Sequence, residues 1–341
     1  MDEFTSRGYT GNKFKLLSFI QKCLANYGVN EVRVVADLFC GTGIVSHMFA
    51  NLPGVRSVIS NDTEVYATIL TEARLSNEPV HAIQRRINRY TKKAEKLKTD
   101  PRYSGGTLTS LYARPPRTIF TKEHAMMLDA LAYYIHAARP KDVSCIASLL
   151  ETALRVNNGF GHFHSAPLTA RKRTVELRMT PLRPSGSSTT CRVLRGEAHA
   201  VFDKLRSTSF DLVYIDPPYS KNGDYGRSFH VLNTLALNDL PDVTGQYNIR
   251  KDVYTSPFAT KTKAHDAFGK LLSLCVKRCK YICVSYSTTG ILTPEEIVAM
   301  LDHLECSKVR TYSIALPAYR GGTYTELLIL ATSPRRMRRM P

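Results

Sequence analysis

Apolar and polar positions change their period several times along this 341-residue chain. Five short runs rich in β-branched and aromatic residues read as buried strands: VRVVADLF (32–39), VRSVISND (55–62), FDLVYIDP (210–217), KYICVSYS (280–287) and TELLILAT (325–332). Such runs alternate with helical patterns over 1–80 and 191–341, which predicts an α/β domain built on a mainly parallel, Rossmann-like sheet. The interval 81–190 is different. HAIQRRINRYTKKAEKL (81–97) and TKEHAMMLDALAYYIHAA (121–138) repeat apolar residues at helical spacing, separated by loops such as RYSGGTLTS and LRPSGSSTT. The expected organisation is a discontinuous sheet domain (1–80 and 191–332), an inserted, mostly helical subdomain (81–190) and a basic tail (333–341).

Charge sharpens this picture. Lys and Arg total 47 against 29 Asp and Glu, a net of +18, which favours a polyanionic partner, nucleic acid first. The interval 81–190 alone holds 19 Lys/Arg and 7 Asp/Glu, and that local excess of +12 leans toward phosphate contact. No apolar run reaches membrane-spanning length, and the opening MDEFTSRGYTGNKFKLL has no apolar core of a signal peptide, so a cytoplasmic setting is expected. The eight cysteines form no CxxC pair. Cys275, Cys279 and Cys283 fall where a helix runs into a strand, so they would not share one face, and no metal site is expected.

Two stretches carry chemistry. In ADLFCGTGIVSHMFA (36–50) a strand meets a tight glycine turn and then a helix; Gly41 and Gly43 let backbone N–H groups approach a ligand. Asp62 ends the next apolar run, 19 residues past Gly43, where doubly wound sheets place an acid on ribose hydroxyls. Ser46 stands where a dinucleotide fingerprint has its third glycine, which disfavours NAD, and no GxxxxGK[ST] occurs. D-x-F-x-G-x-G suits S-adenosylmethionine instead, with Asp37 near its cationic methionine end and Phe39 beside it. The second stretch is DLVYIDPPYS (211–220): a buried strand stopped by an acid, two prolines and a tyrosine.

With these motifs in order, the chain resembles the Dam-type adenine-N6 DNA methyltransferases over most of its length. SRGYTGNKFKLLSFI (6–20) is similar to their opening lysine motif, followed by DLFCGTG (37–43), NDTE (61–64), a long insert, DPPY (216–219) and VSYS (284–287). The resemblance implies that Tyr9, Thr10 and Lys13 line the cofactor pocket, with Lys13 near the methionine carboxylate, and that Asp62 holds the ribose. It puts Glu197 where the family often has an aspartate near the cofactor adenine. It makes 81–190 the target-recognition domain, and RSFHVL (227–232) a segment packing beside the cofactor, with Phe229 as a wall.

The DPPY chemistry follows from the residues. Asp216 and the Pro217 carbonyl would each accept one N–H of an adenine exocyclic amine, favouring its nucleophilic geometry and stabilising the charge that develops on N6. Pro217 and Pro218 keep those acceptors rigid, and Tyr219 stacks on the base, which must be flipped out of the duplex. Tyr286 reads equally well as a wall for that base or as a core residue, His230 as a packed histidine, and Gly223 and Gly226 as part of a mobile loop. Basic residues such as Arg171, Lys172 and Arg173 would meet phosphates or base edges. The expected function is site-specific DNA adenine-N6 methylation, in restriction–modification or as an orphan methylase of a bacterial or phage-infected cell. Double-stranded DNA and a cognate restriction endonuclease are its expected partners. The first position of DPPY argues against cytosine-N4 enzymes, which mostly carry serine there, and glutamine-methylating enzymes, which carry asparagine. An RNA adenine-N6 enzyme and a noncatalytic DNA-binding protein of the same fold are the alternatives.

Overall fold

A computed structural model describes residues 13–114, 118–159, 162–163, 176–219, 225–317 and 322–334. The strands of the main sheet are β1 (Val34–Asp37), β2 (Ser57–Asp62), β3 (Thr190–Arg195), β4 (Phe210–Ile215), β5 (Cys279–Ser287), β6 (Ser307–Pro317) and β7 (Thr323–Thr332). Their spatial order is β3-β2-β1-β4-β5-β7-β6. Neighbours from β3 through β5 pair parallel, and β7 runs antiparallel to both β5 and β6. The chain order reverses at β1, which lies between β2 and β4. Ligands of open α/β sheets bind beyond the strand ends at such a switch point.

The helices among the described residues are α1 (Leu17–Tyr27), α2 (Ile44–Ala50), α3 (Val65–Leu75), α4 (Val80–Lys98), α5 (Thr107–Tyr112), α6 (Lys122–His136), α7 (Val143–Val156), α8 (Ala198–Lys204), α9 (Tyr225–Ser228), α10 (His230–Leu237), α11 (Ala264–Val276) and α12 (Pro294–His303). Local signals start several of them. Thr121 accepts the His124 N–H at 3.1 Å ahead of α6, and Thr293 and Glu296 form a reciprocal capping box at α12.

All five predicted strands are present. β3 and β6 lie at the two edges of the sheet, and neither stood out in the sequence. Their side chains are largely solvated, with exposed Arg192, Lys308 and Arg310, so no continuous apolar run marks them.

The described residues group into two compact units. The sheet unit contains those within 13–63, 187–219 and 255–334. Its core joins Val213 and Ile215 of β4, Ile282 and Val284 of β5, and Phe268 and Leu272 of α11. The second unit contains those within 64–186 and 225–254 and is mostly helical. It is wider than the interval 81–190 named above, because α3 and α10 belong to it. Ile69 and Leu70 of α3, Leu149 and Leu150 of α7, and Leu232 and Leu235 of α10 lie in one apolar cluster. Each fully buried apolar side chain of this kind contributes roughly 1.5–3 kcal/mol, and that shared burial sets the extent of the unit.

Candidate active site

The glycine turn forms as the sequence predicts. β1 ends at Asp37, and Gly41 and Gly43 adopt φ of 51° and 75°, the left-handed region in which a Cβ is strained. The Gly41 N–H donates to Asp62 Oδ2 at 2.8 Å, and the Cys40 N–H donates to the Asn61 carbonyl at 2.9 Å. Asp62 is therefore joined to the turn, at the carboxyl end of β2.

Asp37 is fully buried. Its Oδ2 accepts the Ser46 hydroxyl at 2.6 Å, and Ser46 Oγ in turn accepts the Ser60 hydroxyl at 2.8 Å. Ser46, which breaks the dinucleotide pattern, thus gives Asp37 a partner. Burial pushes the Asp37 carboxyl up to about 7, against the lowering effect of the Ser46 hydrogen bond.

Phe39 is half-buried, and its ring meets Phe258 edge-on at 5.1 Å. Phe258 also stacks on His199 at 5.5 Å. Glu197 is exposed just ahead of α8 and lines an open groove of about 920 Å³ with His199, Pro257, Lys263 and Lys270. Phe258 and His199 were not singled out in the sequence; a single aromatic in SPFAT and a single histidine carry no pattern.

Asp216 follows β4 directly, and the loop is tied down where the Ile291 N–H donates to the Tyr219 carbonyl at 2.9 Å. Lys13, almost wholly buried, reaches Asp216 Oδ1 at 3.1 Å, and its ammonium lies 5.2 Å from the centre of the Tyr219 ring. It also donates to the Tyr219 hydroxyl at 3.2 Å, which donates to Glu326 Oε1 at 2.9 Å. Burial alone would lower the Lys13 ammonium; Asp216, Tyr219 and Glu326 outweigh it and hold the pKa well above its usual value. Burial raises the Asp216 carboxyl to about 6; Lys13 opposes that rise and Glu326 adds to it. Glu326 escaped the sequence reading, although a lone acid inside the apolar strand TELLILAT was the available signal.

Tyr286 is fully buried. Its hydroxyl accepts the Leu292 N–H at 3.0 Å, and its ring packs on Phe268 at 5.6 Å and on Tyr219 at 5.0 Å. It is a core residue that backs Tyr219. In the helical unit, Phe229 is buried against Tyr66, Phe163 and Tyr225, and His230 packs on Tyr112 with Nε2 3.4 Å from the Phe163 carbonyl oxygen. Gly226 lies in α9. Tyr9, Thr10, Arg171, Lys172, Arg173 and Gly223 lie outside the described residues. All eight cysteines are free thiols, and no cluster of metal-ligating side chains occurs among the described residues.

A mainly parallel sheet of reversed order, with a glycine turn after β1, an acid at the end of β2 and an acid–Pro–Pro–Tyr corner after β4, defines the Rossmann-like methyltransferase class. Residues 9–300 match the model of the D12 class N6 adenine-specific DNA methyltransferases, and the chain belongs to that family. It is 27% identical over 333 residues to modification methylase LlaI of Lactococcus lactis subsp. lactis, covering 92% of this chain and 52% of that protein. Type II methyltransferase M.FokI of Planomicrobium okeanokoites is also 27% identical, over 92% of this chain and 50% of its own length. Type II methyltransferase M.NlaIII of Neisseria lactamica is 26% identical, over 85% of this chain and 86% of its own. The chain thus spans about half the length of the first two relatives and most of the third.

Proposed function

We propose that this chain transfers a methyl group from S-adenosylmethionine to N6 of an adenine flipped out of duplex DNA, at a specific short sequence. The observation that carries the reading is the placement of Asp216 beyond β4, beside the switch point, on a corner stiffened by two prolines. Membership of the adenine-specific family supports it.

The donors at the strand ends fit an adenosine-bearing cofactor. The close approach that the left-handed glycine turn allows, the Asp62 carboxylate at the end of β2, the Phe39 ring and the groove beside Glu197 would hold it. When bound, that cofactor supplies an electrophilic methyl on a sulfonium. The protein's own work is to hold the amine. Asp216 and the Pro217 carbonyl accept its two N–H groups, which favours pyramidal nitrogen and stabilises the charge gained in the transition state. Near neutral pH Asp216 is mostly ionised, as an acceptor must be, and the proton released from N6 passes to Asp216 or to water. Pro217 and Pro218 preorganise the acceptors, and Tyr219 offers a ring for the flipped base.

The helical unit serves as the target-recognition domain. α4 buries Ile83, Ile87, Tyr90 and Ala94 at helical spacing and presents Arg85, Arg89, Lys92 and Lys96 to solvent on the opposite side. That ridge suits a run of phosphates. No described helix is long and apolar enough to cross a membrane. The proposed setting is the cytoplasm of a bacterial or phage-infected cell, as a modification methylase with a cognate endonuclease or as an orphan enzyme.

The test is incubation with cofactor and DNA, followed by digestion and detection of N6-methyladenine. Asp216→Ala abolishes the product and leaves cofactor binding largely intact. Methylation found on cytosine, or on RNA alone, refutes the reading, and an active Asp216→Ala refutes the assignment of the acceptor.

A further inference from the structure

Glu326 lies on β7, paired with Ser287 of β5 and Ile314 of β6, and beyond the residues that the family model matches. It is 5% exposed. A carboxylate held so far from water needs partners, and an apolar residue at the start of LLILAT would fill the same space at lower cost. Glu326 Oε1 accepts the Tyr219 hydroxyl at 2.9 Å. Its Oε2 has no hydrogen bond among the described residues and faces Lys13 Nζ at 3.5 Å. Glu326 is thus the far end of a hydrogen-bonded line, Lys13 to Tyr219 to Glu326, and a second anion competing with Asp216 for one ammonium.

We infer that Glu326 is a positioning residue for methyl transfer, holding the Tyr219 ring by its hydroxyl and sharing the Lys13 ammonium with Asp216, so that this cation does not bear on Asp216 alone. This rests on the catalytic reading above. Without Glu326, Lys13, which already reaches Asp216 Oδ1 at 3.1 Å, has that carboxylate as its one remaining anionic partner among the described residues, and its full charge bears on the acceptor. The Tyr219 hydroxyl also loses its acceptor, and the ring its fixed orientation. The groups facing Asp216 are Lys13 beside α1, Glu326 on β7, Ser285 and Cys283 on β5, Tyr214 on β4 and Asp37 on β1. Of these, Glu326 is the one whose replacement by Gln removes a negative charge from the Lys13 cluster while leaving an acceptor for the Tyr219 hydroxyl.

The test uses full-length protein carrying 13C at the aspartate carboxyl carbons, with the Asp216 signal assigned by its loss in Asp216→Asn. Removing the Glu326 charge in E326Q, which keeps an acceptor for Tyr219, moves the Asp216 midpoint to lower pH, and E326D returns it toward that of the wild type. In parallel, the acid limb of kcat moves the same way in E326Q, and E326A lowers kcat by about tenfold or more through misplacement of the ring and acceptor. The KM for DNA changes less, because Glu326 acts after the duplex is bound. A midpoint that is unchanged in E326Q, or that rises, overturns the inference. Wild-type protein that makes no N6-methyladenine overturns the catalytic reading instead, and the NMR titration still decides whether Glu326 governs Asp216.

Discussion

Single residues at this site are set by burial as much as by identity. Asp37 shows it best. Its carboxyl titrates near 7 when folded, because it is enclosed, and near the ordinary aspartate value of about 4 when unfolded. The native state therefore holds a proton that the unfolded chain has released, and the contribution of Asp37 to stability falls as pH rises from about 4 through about 7. Asp37→Asn, which cannot ionise, is expected to gain stability relative to the wild type as pH is raised from 5 to 8. Urea melts across that range check this, and a difference that does not vary with pH overturns it. The acid, the prolines and the tyrosine of DPPY were legible as a chemical unit from the sequence. Glu326 was not, because its meaning depends on two residues more than a hundred positions away, Tyr219 and Lys13.

At the scale of elements, α4 separates paired, inward charge from exposed charge. Arg86 turns inward and is matched by Glu78 and Asp142, the latter at 2.8 Å. Arg85, Arg89, Lys92 and Lys96 project outward, 200° around the helix from Ile83, Ile87, Tyr90 and Ala94. If this ridge meets DNA phosphates, Lys92→Ala with Lys96→Ala lowers affinity alike for all sequences. It also reduces the slope of log K against log salt by about 2. Filter binding at several salt concentrations measures the slope, and one equal to the wild type removes α4 from the interface. The inner strands β1, β2, β4, β5 and β7 were readable because burial on both faces enforces apolar runs. Edge strands β3 and β6 were not, because one side of each is solvated.

For the whole molecule, the parallel sheet gathers distant motifs by connectivity alone. Residues 13, 37, 41, 62, 216 and 326 come from five parts of the chain and all lie in the sheet unit. A ligand that binds this native arrangement and not the unfolded chain stabilises it by about 2.7 kcal/mol at a hundredfold excess over its Kd. S-adenosylmethionine is therefore expected to raise the melting temperature, and Asp62→Ala to reduce that rise. A wild-type melting curve indifferent to the cofactor speaks against the assigned pocket.

The fold class, the glycine turn, the DPPY corner and the basic character of the middle of the chain were determined by the sequence itself. Each is a local pattern of period, backbone freedom or charge. Tertiary structure decided the rest. It drew α3 and α10 into the helical unit through a shared apolar core, turned Tyr286 inward, and gave Asp37 its serine partner. It also set Glu326 against Lys13 and Tyr219. These outcomes depend on which side chains meet across long sequence separations, and on how much water is left between them.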